Sequence, residues 1–100
     1  MTTSSGEIVG FSMDGHADYG ETGTDIVCAA ASSAAYMTAN TITEVLHADA
    51  QVSAEDGEML VRVTRRQAVN CRDILAGFKL HMIGLEEQYP KNIRVSYLEV

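Results

Sequence analysis

Two cysteines and three histidines are the residues in this chain best able to do nucleophilic or acid-base chemistry. Their settings differ. Thr24 is a good N-cap and Asp25 suits a first helical turn, so a helix is predicted from about Asp25 to about His47. Cys28 then falls about one turn inside the helix, just after a glycine-bearing loop. Free amides and the helix dipole at such a place favour a thiolate, which is the reactive form of cysteine. The same amides can hold an oxyanion. The plain alternative is a small buried hydrophobe, as many free cysteines are.

His16 stands twelve positions before Cys28, in the predicted loop Asp14 to Gly23. Gly15, Gly20 and Gly23 give that loop freedom to fold over the helix start, and it is expected to act as a gate. A Cys-His pair needs the two groups within hydrogen-bond reach and a third group to orient the base. Asp18 and Asp25 are the carboxylates available for that third role. The plain alternative for His16 is a solvated loop histidine, and spacing alone leaves both readings open.

The other chemical candidates have simpler explanations. A zinc site built on His16 and Cys28 lacks a Cys-x-x-Cys or a close second histidine. The glycines between 15 and 23 lack the Gly-Lys-Ser/Thr of a phosphate loop, and their surroundings are acidic. Cys71 lies on the apolar stripe of a second predicted helix and reads as core. His47, near a helix C-terminus, and His81, on a helix surface, read as solvated. Arg62, Arg65 and Arg66 read as a solvated face. Tyr36 and Met37 fit either a substrate pocket or packing in a core or dimer.

Positioning these groups requires a small set of elements. Residues 7 to 13 alternate, with Val9, Phe11 and Met13 on one face, and predict a strand. After the alanine-rich first helix, 50 to 54 and 58 to 64 predict a hairpin turning at Glu55-Asp56-Gly57. A second helix is predicted from about Arg66 to Gln88, with Cys71, Ile74, Leu75, Phe78, Met82 and Leu85 on one face. Pro90 ends it. Ile93, Val95, Tyr97 and Glu99 predict a last strand. This order implies an α+β fold, a two-layer domain with a largely antiparallel sheet and two helices packed on one face.

One hundred residues fit a single domain, 1–100, whose core is modest enough for dimerisation to supplement it. Hydrophobic residues make up 46% of the chain, which excludes a disordered one. No apolar run of 18 residues exists, so no membrane span or membrane partner is expected. Met1 to Gly6 has neither a basic segment nor an apolar core, and two cysteines suit a reducing compartment, so the expected location is the cytoplasm. The net charge of −7 argues against direct nucleic-acid binding and favours a basic partner.

The words around the candidate pair carry more. Gly15-His16-Ala17, followed by Gly23-Thr24-Asp25-Ile26-Val27-Cys28-Ala29-Ala30-Ala31-Ser32, resembles the ribosomal-processing cysteine protease family, Prp. Gly6-Glu7-Ile8-Val9-Gly10-Phe11 and Leu85-Glu86-Glu87-Gln88-Tyr89-Pro90-Lys91-Asn92-Ile93 extend the likeness over nearly the whole chain. The resemblance implies a cysteine endopeptidase with Cys28 as nucleophile, His16 as base, and Asp25 and Ser32 in support. It implies removal of the N-terminal extension of a large-subunit ribosomal protein, the twenty-seventh of its series, by cleavage after an aromatic pair. It also implies a homodimer, and no cofactor or metal. The rivals are a non-catalytic ribosome-assembly module binding the same protein and a thiol-dependent acyl hydrolase with a small substrate.

Overall fold

The alternation in the first strand segment is what anchors the sheet. In a computed structural model, which describes residues 1–14, 22–55 and 58–100, this segment forms β1 (Gly10–Asp14). β1 runs antiparallel to β3 (Glu58–Val63), and β3 pairs on its other side with β2 (Ala50–Glu55), giving the order β1-β3-β2. Phe11 faces Val61 and Met13 faces Met59 across the ladder, so the apolar residues of both strands share one side. Val9, Phe11, Met59, Val61 and Val63 are buried there.

At Gly10 the chain approaches its neighbour too closely for a side chain. A Cβ there would collide with the Val61 carbonyl oxygen and crowd the Arg62 Cα. The predicted hairpin forms, with Glu55 and Glu58 as its last pair. Its tip at Asp56 and Gly57 lies outside the described residues. β2 is exposed from Gln51 onward, since the helical layer does not reach over that edge.

That layer is made of α1 (Thr22–Asn40) and α3 (Arg72–Gln88), matching the two-helix α+β reading. Val27, Ala31, Ala35, Ala39 and Ile42 form a buried stripe at four-residue and three-residue steps along α1 and its continuation. Small side chains let the helix lie close to its neighbours. Thr38 is buried on the same stripe, and its hydroxyl donates to the Ala34 carbonyl at 2.8 Å. On α3, Leu75 is buried, and Phe78 stacks on Phe11 with centroids 4.1 Å apart, joining helix to sheet. Full burial of Ile42 and Leu75 contributes about 1.5–3 kcal/mol each.

Four expectations need correction. The first helix starts at Thr22, so Thr24 lies inside it, not at its cap, and Thr22 and Gly23 are helical, not loop. Its last turn, Thr41–Val45, is π-helical, closed by Leu46 N–H donating to the Thr41 carbonyl at 2.8 Å. His47, exposed with φ 52°, then ends the helix in the left-handed region.

The second helix is broken. α2 (Arg65–Ala68) starts at Thr64, whose hydroxyl accepts the Gln67 N–H at 3.3 Å, and a turn at Val69–Cys71 separates it from α3. Cys71 is therefore the N-cap residue of α3, with φ −103° and ψ 4°, not a mid-helix residue. The predicted last strand does not form. Only Glu99 bridges, to Thr2, while Val95 N–H donates to the Glu86 carboxylate at 2.8 Å. No described helix is long and apolar enough to cross a membrane.

Candidate active site

Cys28 is the seventh residue of α1, about one and two-thirds turns beyond Thr22. Its own amide is thereby inside the helical ladder, and the amides of α1 with no partner inside the helix belong to its first four residues. A helical Cβ tilts toward the N-terminus, so the Cys28 side chain leans over the turn containing Thr24 and Asp25, toward those first-turn amides.

Asp25, Cys28 and Ser32 follow at steps of three and four and share one face of α1. Cys28 and Ser32 are both partly exposed, on the rim between the buried stripe and solvent. The other candidates fall elsewhere. His16 and Asp18 lie outside the described residues, as do the side chain of Asp25 and the greater part of the predicted gate loop. Asp14, the last residue of β1, leads into that segment.

Cys71 has no solvent exposure, and burial pushes its thiol above the ordinary value of 9.0. This matches its reading as core. His81 is exposed, as are Arg62, Arg65 and Arg66. Tyr36 and Met37 are 51% and 53% exposed on the outer side of α1, and neither lines the cavities of about 280 and 540 Å³. No group of three or more potential metal ligands occurs among the described residues.

The chain as a whole is similar to known proteins. The family model for the cysteine protease Prp matches residues 1–94. The ribosomal processing cysteine protease Prp of Staphylococcus aureus is 33% identical over 94 residues, covering 92% of this chain and 89% of that one. The chain belongs to the cysteine protease Prp family.

The solved structures agree. The crystal structure of the S. aureus ribosomal processing protease Prp in complex with a substrate peptide superposes with a TM-score of 0.86 at 30% identity, over 97% of this chain and 93% of that one. The same protease with a covalently linked product peptide gives 0.83 at 31%, with the same coverage. The α+β architecture is thus that of Prp, and this chain is a cysteine protease. The reading as a non-catalytic assembly module is set aside.

The sequence offered no signal for one feature. The cavity of about 280 Å³ is walled by β1, by α3 and by the segment 94–98, which are far apart in the chain. No local pattern brings them together.

Proposed function

We propose that this protease cleaves the N-terminal extension from a large-subunit ribosomal protein, the twenty-seventh of its series, with Cys28 as nucleophile and His16 as general acid-base. The observation that carries the assignment is the contrast between the cysteines. Cys28 is reachable, on the α1 face shared with Asp25 and Ser32, whereas Cys71 is sealed in the core.

In this reading the Cys28 sulfur attacks the scissile carbonyl carbon, and the electrons of its π bond move to oxygen. Amides of the first turn of α1 hold that oxyanion. As the intermediate collapses the C–N bond breaks, and His16 gives its proton to the departing amine. A water molecule then attacks the thioester, His16 takes its proton, and the Cys28 thiolate is released with a carboxylate product. Asp25 and Ser32 support the site from the positions before and after Cys28. The chain's net charge of −7 suits a basic substrate segment, so association should weaken as salt rises.

We place the active protein as a homodimer. Ile26, Tyr36 and Met37 are large apolar residues exposed on α1, which supports this. The test of the function is incubation with an N-terminally extended ribosomal protein precursor and mass measurement of the products. The expected result is one truncated protein and one released peptide ending after an aromatic pair. An intact precursor, under conditions where the S. aureus enzyme cleaves its own, would overturn the proposal.

A further inference from the structure

The sheet carries its helices on one face and leaves the other open. Alternation buries Met59, Val61 and Val63 of β3, so Glu58, Leu60 and Arg62 point from the open face. The register carries that division across the sheet. Gly10, Ser12 and Asp14 flank β3 on one side, and Gln51, Ser53 and Glu55 on the other.

This open face is electrically polarised along its strands. At one end Asp14, Glu58 and Glu55 stand in one row, three carboxylates in register. Like charges so placed repel one another and add nothing to the fold. At the other end, about 13 Å away, Arg62 stands between Gly10 and Gln51, with no charged neighbour directly across either strand. The chain then passes through Thr64 into Arg65 and Arg66 of α2. All three arginines are exposed. Among the described residues none of them has an ion-pair partner, unlike Arg72, which meets Asp73 at 3.4 Å.

A cavity of about 540 Å³ has both Arg62 and Arg65 on its wall, together with Gln51 and Thr64. Asp49 is the one acidic side chain among the described residues that line it. The sequence shows the same segregation. All seven basic residues fall between Arg62 and Arg94, while residues 1–61 hold ten of the fourteen acidic ones. A net charge of −7 therefore conceals a basic end.

We propose that Arg62, Arg65 and Arg66 form a docking surface for the phosphate backbone of RNA. Guanidinium forks match pairs of phosphate oxygens, and Gln51 and Thr64 are donors beside them. Phosphate contacts position a protein without reading bases, so binding is independent of sequence. The carboxylate row repels a polyanion, which leaves the end of β1 nearest the segment of His16 free for a basic peptide. The choice of RNA among polyanions rests on the proposed ribosomal-protein substrate. The charge layout does not depend on it.

Fluorescence anisotropy with a labelled single-stranded RNA of about 20 nucleotides and mixed sequence tests this on the 100-residue protein. Three phosphate contacts predict a slope of log K against log salt of about −2, or about a twentyfold loss of affinity between about 50 and 200 mM salt. Arg62→Ala, Arg65→Ala and Arg66→Ala should each reduce that slope by about 0.7, and the three together should abolish binding. The corresponding triple lysine variant should keep the slope, because the charge remains. Lys91→Ala, outside the cluster, should change neither slope nor affinity. The triple alanine variant should still cleave a short precursor peptide at the unsubstituted rate, so the surface and the proposed cleavage are read separately. Absence of RNA binding at about 50 mM salt, an unaltered slope in the triple alanine variant, or equal affinity for poly-glutamate of the same charge would overturn the proposal.

Discussion

Cys28 and Cys71 are the same residue in opposite situations. Cys28 sits on the rim of α1 beside Ser32, partly open to solvent. Cys71 caps α3 at the turn after α2, with no exposure at all, against a core that includes Ala68 and Leu75. One position makes a thiol available for chemistry. The other uses it as a small hydrophobe and raises its pKa by desolvation. What separates a reachable thiol from a buried one here is its position on its helix, not its residue type.

The largest effect expected from this contrast is on cleavage. Cys28→Ala should abolish it with the fold intact, and Cys28→Ser should be nearly as inactive, because a hydroxyl is far less ionised than a thiol. Cys71→Ser should keep its activity wherever it folds. Precursor cleavage, with circular dichroism as the check on folding, reads both. Next, His16→Ala should lower kcat by at least about a hundredfold, the low end for a positioned acid-base group.

Alkylation compares the two thiols directly. Cys28 should react with iodoacetamide at least about a hundredfold faster than Cys71 in the folded protein, since Cys71 must wait for an opening of the core. Peptide mapping after timed quenching measures the ratio, and comparable rates would break the contrast.

Smaller effects fall on stability. Cys71→Ala should cost about 1–2 kcal/mol in urea unfolding, below the range for larger core truncations because only one sulfur is lost. Cys28→Ala should cost much less. The raised pKa of Cys71 also sets a pH dependence. Above its ordinary value of 9.0 the unfolded chain loses the thiol proton while the folded one keeps it. The folded state then binds more protons, and stability should fall as pH rises beyond about 9. Below that value this thiol adds no slope. Cys71→Ala should flatten the alkaline limb, which urea titrations between pH 7 and 10.5 would show.

Much of the frame was legible because it is written in local periodicity. The Val9-Phe11-Met13 alternation and the two runs around Asp56-Gly57 name the sheet, and the small-residue stripe names α1. Three features were not legible, for physical reasons. Gly23 disfavours a helix interior by propensity, yet α1 runs through it, which shifted the expected helix start past Thr22. The turn at Val69–Cys71 leaves the apolar spacing of Ala68, Cys71 and Leu75 undisturbed, so a broken helix and a continuous one have the same pattern.

The alternation of Ile93, Val95 and Tyr97 is real, but a strand needs a partner. Val95 N–H finds the Glu86 side chain instead, and the cavity of about 280 Å³ lies beside 94–98. At the candidate site, Cys28 on an early turn of α1 was legible as the proposed nucleophile, and the motif words proposed His16 as its base, a residue outside the described ones. The exposure contrast with Cys71 needed the tertiary packing.

The most direct test of Cys28 as the nucleophile is a covalent trap. A peptide matching the segment before the cleavage point, ending in a chloromethyl ketone, is incubated with the folded protein, and the adduct is mapped by mass spectrometry. The account predicts one adduct, on Cys28, formed much more slowly in His16→Ala, with cleavage lost in step with labelling. An adduct on Cys71, or full cleavage by protein quantitatively labelled at Cys28, would contradict it.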